Sequence, residues 1–264
     1  MLQALLYLCV SFLASVAGAI CGIGGGVIIK PVLDLCALGS VSTISFLSGC
    51  TVLSMSCYSV GRGLLSGSSG VDLKTGTPLA LGAAAGGFWG KQLFSAVSAM
   101  SASPDAVGAV QAVCLALITA GTLVYTIFKS KIKTHSVKSA WACVAIGLAL
   151  GVMSSFLGIG GGPINLVVLF FFFGMDTKTA AQNSLYIILF SQIASLLTTL
   201  ATRSVPDFAW SALALMICGG IGGGAAGRAV NRRMDNAAVD RLFRGLMAVI
   251  ILVSVYNAAR YSMG

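Results

Sequence analysis

The pentapeptide Gly-Ile-Gly-Gly-Gly occurs twice, at Gly22–Gly26 and Gly158–Gly162, each time inside a long apolar run. Glycine weakens a helix because its backbone is free and it brings no side chain to pack. Four glycines in five residues within such a run therefore predict a break in a membrane helix. A break exposes amides and carbonyls at membrane depth, which is tolerated only where protein or a watery cavity satisfies them. Paired breaks in matching halves of a chain point to the substrate site of a transporter.

The surrounding composition agrees. Of 264 residues, 57% are hydrophobic and 9% charged, and glutamate is missing altogether; soluble domains carry about 25% charged residues. Apolar runs long enough to span a bilayer recur throughout, so the chain is expected to be an all-α polytopic membrane protein of about eight membrane helices. The net charge of +9 does not imply nucleic acid. The bases concentrate in two stretches, Lys129–Lys138 and Arg228–Arg244, as the positive-inside rule requires of cytoplasmic loops. The first 20 residues lack the basic start of a signal peptide and are taken as part of the fold. The eight cysteines form no CxxC pair and are expected to be mostly small buried residues, with Cys21 beside the first break.

The halves match in register. Ile23 and Ile159 are 136 residues apart, Lys91 and Arg228, each ending a glycine-rich stretch, are 137 apart, and Asp72 and Asp207 are 135 apart, each suited to cap the next helix. The expected organisation is a first transmembrane repeat at 1–128, a basic cytoplasmic linker at 129–138 and a second repeat at 139–264. Each repeat holds a broken segment and three spans: 1–38, 41–62, 73–98 and 105–128, then 139–174, 178–202, 207–229 and 236–258. A broken segment of about 36 helical residues would extend about 54 Å, well beyond a hydrocarbon core of about 30 Å. It is therefore expected to fold back as a hairpin with its glycines at the turn. Placing both basic stretches in the cytoplasm requires the same, and puts Arg62, Lys74 and Lys178 with them and the loop near 99–106 outside. Three crossings plus a hairpin give an odd count, so the halves should form an inverted repeat with their glycine turns meeting near the midplane.

A helix restarts after each break, at Val27 and at Pro163, and the free amides of such a start attract anions. The expected substrate-binding residues are Gly24, Gly25, Gly26 and Val27, with Gly160, Gly161, Gly162 and Asn165. Ser48, Gln182, Asn183 and Ser184 could complete the site, since buried hydroxyls and amides in lipid need partners. Lys30, Lys91 and Arg228 are candidate gate or charge residues. Gly86–Gly90 and Gly219–Gly227 are assigned to close helix packing. No catalytic residue, metal site or cofactor is expected: no Ser/His pair, acidic dyad, metal cluster or Walker motif can be assembled, and His135 lies in the linker. Asp34 is the only acid near a break.

With these residues in view the chain resembles the TauE/SafE family of anion transporters, also called the sulfite exporter family. The likeness rests on Gly22–Gly26 followed by Pro31, on Gly158–Gly162, on Ala180-Ala-Gln-Asn-Ser184 and on the glycine-rich third span of each half. It departs where Pro163 directly follows the second glycines, ahead of Leu166-Val-Val, and where Phe46-Leu47-Ser48 stands for a Thr-Ser pair. The resemblance implies an inner (cytoplasmic) membrane secondary transporter of sulfite, thiosulfate or an organosulfonate, with the regions around Gly24–Val27 and Gly160–Asn165 lining the pathway. Alternating access would work on a small anion, with a proton or sodium ion as the open choice of coupling ion. The alternatives are transport of another small anion such as a carboxylate, or a non-transporting membrane scaffold.

Overall fold

Both apolar runs that carry a glycine pentapeptide fold as a long helix, a turn and a half-length helix. In the first, α1 (Leu2–Cys21) is followed by α2 (Gly26–Leu35). The Tyr7 hydroxyl donates to the Leu38 carbonyl at 2.8 Å, so the chain leaving α2 has returned to the first turns of α1. In the second, α6 (Ala140–Leu157) is followed by α7 (Pro163–Phe173). Here the amides of His135 and Val137, just ahead of α6, donate to the carbonyls of Phe171 and Phe172 at the end of α7. Both segments are hairpins with the glycines at their turns, as their length requires. α2 ends at Leu35, three residues before the expected Leu38.

The computed structural model describes residues 2–67, 70–100 and 104–263. The remaining elements are α3 (Val41–Leu65), α4 (Leu73–Met100), α5 (Pro104–Phe128), a 3-10 turn at Lys129–Lys131, α8 (Thr177–Ala201), α9 (Trp210–Arg233) and α10 (Asn236–Met263). No strand occurs among the described residues. Among the described residues, seven helices are long and apolar enough to cross a bilayer. The eighth long helix, α4, has the length, at 28 residues, but glycine, threonine and lysine dilute its apolarity. The expected loop at 99–106 falls partly on residues 101–103, which lie outside the described residues. Asp207 does not cap α9 as its spacing suggested: the N-cap is Ala209, and the Asp207 carbonyl instead accepts the Thr43 hydroxyl.

The hairpins pack against the glycine-rich helices of the other half. Along α4, Gly82, Gly86 and Gly90 face the backbone of Val144, Leu148 and Val152 in turn, so α4 and α6 run parallel with their backbones touching. Along α9, Gly219, Gly223 and Gly227 face Leu8, Phe12 and Val16 in turn, so α9 and α1 also run parallel. Small residues every fourth position remove the side chains that would hold two helices apart. α4 begins where α9 ends: Asn183 on α8 holds Asp72 and Gly70, while the Lys178 ammonium at the start of α8 donates to the Met234 carbonyl. Hence α4 and α9 are antiparallel, and so are α1 and α6. The same sequence of long, half-length and three long helices is traversed twice, in opposite directions.

One end of the bundle gathers the bases. Lys129 pairs with Asp240 at 2.5 Å, Lys178 lies on the turn before α10, and Arg228 reaches the Ser59 carbonyl near Arg62. The side of the bundle is apolar, with Leu13, Leu117, Leu197 and Leu252 more than half exposed, and Trp141 and Trp210 project at the starts of α6 and α9. Apolar flanks with aromatic residues near the helix ends suit a bilayer.

Candidate functional site

The two glycine turns touch. A Cβ on Gly26 would overlap the Ile159 carbonyl, and one on Gly24 would lie 3.2 Å from the Gly160 carbonyl oxygen. Gly24 and Gly160 both have φ near +68°, a conformation that side chains rarely adopt, so the turns need glycine for shape as well as for space. Val52 on α3 and Ile188 on α8 flank the contact. Ser48 and Ser184, one turn before them, are fully buried and their hydroxyls have no partner. α2 and α7 begin here. Pro163 is the first residue of α7, where its missing N–H costs nothing.

A cavity lies on each side of this contact. The first is lined by Ser45 and Gly49 of α3, Lys91 of α4, Ser154, Ser155 and Gly158 at the end of α6, and Gln192 and Thr199 of α8. The second is lined by Ala19 of α1, Ser59 and Gly63 of α3, Gln182 and Leu185 of α8, and Arg228 and Arg232 of α9. The second lies toward the basic end and the first toward the opposite end. They correspond residue by residue: Ser45 with Ala181, Gly49 with Leu185, Lys91 with Arg228, Ser155 with Ala19, and Ser195 with Ser59 are separated by 136 or 137 positions. Lys91 is the cation of the first cavity, and Arg228 and Arg232 are those of the second.

Their polarity suits an anion. In the first cavity the hydroxyls of Ser45, Ser154 and Ser155 are buried without partners, beside the Lys91 ammonium. In the second, the Arg228 guanidinium is oriented by the Ser59 carbonyl at 2.8 Å. Hydroxyl and cationic donors in a low-dielectric wall favour an oxyanion, since hydrogen bonds to a charged acceptor are about twice as strong as neutral ones.

The sequence-predicted residues divide. Gly24–Gly26, Gly160–Gly162, Ser48 and Ser184 lie at or beside the central contact. Val27 is fully buried in the core with Ile23 and Ile159. Asn165, in the first turn of α7, lines a small cavity with Gly161 and Gly162, and its carbonyl oxygen is unpartnered. Lys91 and Arg228 sit one in each cavity. Gln182 lines the second cavity and, with Asn183, also ties down the chain ahead of α4. The Gln182 carbonyl oxygen accepts the Gly70 amide at 2.6 Å, and Asn183 accepts the Asp72 amide while donating to the Gly70 and Thr179 carbonyls. They fasten the segment between α3 and α4. Lys30, one turn into α2, turns into a separate cavity and pairs with Asp34 at 3.2 Å. Sequence reasoning missed Gln192 and the serines at 45, 154 and 155, although the 136-residue register connects Ser45 to the Ala181 of the polar patch.

Comparison with known proteins places this architecture. A family model described as "Sulfite exporter TauE/SafE" matches residues 7–255. A Bacillus subtilis protein described as "Probable membrane transporter protein YunE" is 25% identical over 114 residues, which cover 43% of this chain and 41% of that protein. No solved structure is significantly similar. The model match spans nearly the whole chain, both hairpins included, and the chain belongs to the TauE/SafE sulfite exporter family of membrane transporters.

Proposed function

We propose that the chain is a secondary transporter of small sulfur-containing anions (sulfite, thiosulfate or an organosulfonate) that works by alternating access around the two glycine turns. The observation that carries this reading is the pair of matching cavities, one holding Lys91 and the other Arg228 and Arg232, on opposite sides of the contact between the glycine turns that Val52 and Ile188 flank. An anion entering either cavity meets a cation first and the opened helix starts next. Displacing one hairpin relative to the other would exchange the side on which the turns are accessible, because each hairpin is packed mainly on the opposite half. Family membership supports a sulfur oxyanion as the cargo.

On this reading the halves 1–128 and 139–264 are inverted repeats joined by a cytoplasmic linker at 129–138. The basic end then faces the cytoplasm of the inner membrane. Lys91 guards the outer cavity and Arg228 the inner one.

The test is flux of radiolabelled sulfite, thiosulfate and methanesulfonate in proteoliposomes, challenged with unlabelled sulfonates and carboxylates. Saturable flux that sulfonates block better than carboxylates is the expected result. Preferential block by carboxylates would assign the chain another anion. Absence of flux for every label, from protein that elutes as a folded species, would leave a scaffold.

A further inference from the structure

The half-helices α2 and α7 follow their glycine turns in the same way, but four and eight residues after the last glycine they differ in kind. α7 places Leu166 and Phe170 there, both buried in the main apolar core. α2 places Lys30 and Asp34, whose side chains are only 4% and 7% exposed and form an ion pair. The fold thus accommodates an apolar pair at this position. Hydrophobic residues in place of a buried ion pair are often as stable or more stable, so packing does not account for the charges.

The surroundings hold several unpartnered oxygens. One cavity is lined by Lys30, Asp34, Gln111 of α5, and Ser254 and Asn257 of α10. Four of its oxygens are buried without a partner: Asp34 Oδ1, Gln111 Oε1, Ser254 Oγ and Asn257 Oδ1. Gln111, Ser254 and Asn257 are each at most 3% exposed. Their other ends are committed: the Gln111 amide donates to the Phe156 carbonyl at 2.6 Å and the Asn257 amide to the Pro31 carbonyl at 2.9 Å. The cluster therefore bonds to α2 just behind the first glycine turn and to α6 just ahead of the second. Other charged or titratable groups facing Asp34 are few. Arg260 on α10, partly exposed, donates to the Asp34 and Leu35 carbonyls, and the Tyr261 hydroxyl on α10 is hydrogen-bonded to the Asp34 carboxylate. On α1, Tyr7 is bonded to the Leu38 carbonyl, and α3 presents Ile44 and Leu47.

Building on the transport reading, we propose that the Lys30–Asp34 pair is the coupling site, that its ligand is a proton taken on Asp34 Oδ1, and that it moves with one singly charged anion. Protonation forms one O–H bond, neutralises the carboxylate and supplies a donor that the Gln111 or Asn257 side-chain oxygen lacks. The proton comes from water at the Arg260 edge and returns to water on the other side of the cycle. A metal cation would satisfy the same oxygens only by lying against the Lys30 ammonium, where like charges repel. Charge then fixes the stoichiometry. The empty pair is neutral; the protonated pair leaves Lys30 with an unbalanced positive charge about one helical turn from the glycine turn; a monoanion held there restores neutrality. Only the empty state and the state with both proton and monoanion avoid carrying net charge through a low-dielectric interior.

The experiment uses the full chain in proteoliposomes with radiolabelled methanesulfonate, a monoanion, as probe. Two regimes are compared: exchange of label at equal pH and accumulation driven by an imposed pH gradient, with trapped pyranine reporting protons. Wild type should show both, with one proton entering per anion. Asp34→Asn mimics the protonated acid, so it should exchange within about threefold of wild type and lose at least about tenfold in gradient-driven accumulation. The pair Lys30→Leu with Asp34→Leu should fold and insert as wild type does and show no proton entry. Wild-type accumulation driven by sodium at constant pH, full accumulation by Asp34→Asn, or aggregation of the double variant would each overturn the proposal while leaving transport itself standing. Wild-type protein that moves no label in either regime would overturn the transport reading and this proposal with it.

Discussion

Gly26 and Ile159 are so close that any side chain on Gly26 would overlap the Ile159 carbonyl. They belong to different glycine turns and approach from different halves, so this contact joins the two hairpins at the centre of the bundle. A backbone carbonyl cannot rotate away as a side chain can. Gly26→Ala should therefore separate the turns and destabilise the protein by about 2–3 kcal/mol, at the upper end for overpacking. Gly162, the residue at the same place in the second turn, is the control. Its φ of −167° is extended backbone, and an added Cβ would meet only the Ile159 side chain at 3.4 Å. Gly162→Ala should stay within about 0.5 kcal/mol of wild type. Thermal unfolding of purified protein in detergent, followed by size-exclusion fluorescence, measures both; equal losses would mean that the contact is not rigid.

Lys91 and Arg228 are expected to act from opposite sides. Removing either charge while keeping a polar side chain, as Lys91→Gln or Arg228→Gln, weakens the first encounter with an anion in one cavity only. The expected effect is a rise of about tenfold in the apparent KM, equivalent to about 1.4 kcal/mol, for transport starting from that side. Transport from the other side should change little. Uptake and efflux by oriented vesicles separate the two directions. Similar rises in both directions for both variants would show that the charges act on the whole conformational cycle rather than on entry.

Glycine has two opposite uses in these helices, and they predict opposite signs. A Cβ on Gly86 would overlap the Leu148 carbonyl, and one on Gly223 the Phe12 carbonyl, both across parallel helix pairs. At Gly121 on α5 and Gly245 on α10 nothing lies within 4 Å. Alanine at 86 or 223 should push two backbones apart at a cost of about 1–3 kcal/mol. Alanine at 121 or 245 should add about 0.5–1 kcal/mol of stability through helix propensity and a less flexible unfolded chain. Melting temperatures of the four single variants check the sign as well as the size.

The helical plan was legible because length and glycine are one-dimensional signals. Thirty-odd apolar residues with a glycine-rich middle cannot cross once, and basic residues at both ends of a segment oblige it to return. The central site was legible in part. The register that relates Lys91 to Arg228 identified one cation of each cavity, but neither Arg232 nor the cavities, whose walls come a turn at a time from four helices. Gln182 and Asn183 illustrate the limit. Their chemistry suits a ligand, and only the fold shows that the Gln182 oxygen also serves Gly70 and the Asn183 oxygen serves Asp72. The oxygens around Asp34 were invisible for the same reason: Gln111, Ser254 and Asn257 lie on α5 and α10, far along the chain, as isolated polar residues in apolar helices.

Asp176 closes the turn between α7 and α8, outside the spans, and gives a pH dependence with a definite sign. Its carboxylate accepts the Lys178 amide at 3.0 Å, the Thr179 amide at 3.2 Å and the Thr179 hydroxyl at 2.6 Å. Partial burial pushes its pKa up, but the hydrogen bonds from Thr179 and Lys178 outweigh it and hold the acid below its ordinary value. A carboxyl depressed in the folded state contributes stability that is fully present above its unfolded pKa of about 3.9 and is lost as pH falls through the folded value. The cap should therefore be unaffected between pH 7 and about pH 5 and fade below about pH 4. Asp176→Ala should cost about 1 kcal/mol at neutral pH, the usual value for an N-cap, and the deficit relative to wild type should shrink as both are taken to pH 3. Melting curves of the two proteins across that range decide it: a deficit that stays constant would mean that the alanine disturbs the turn itself rather than removing a charged cap.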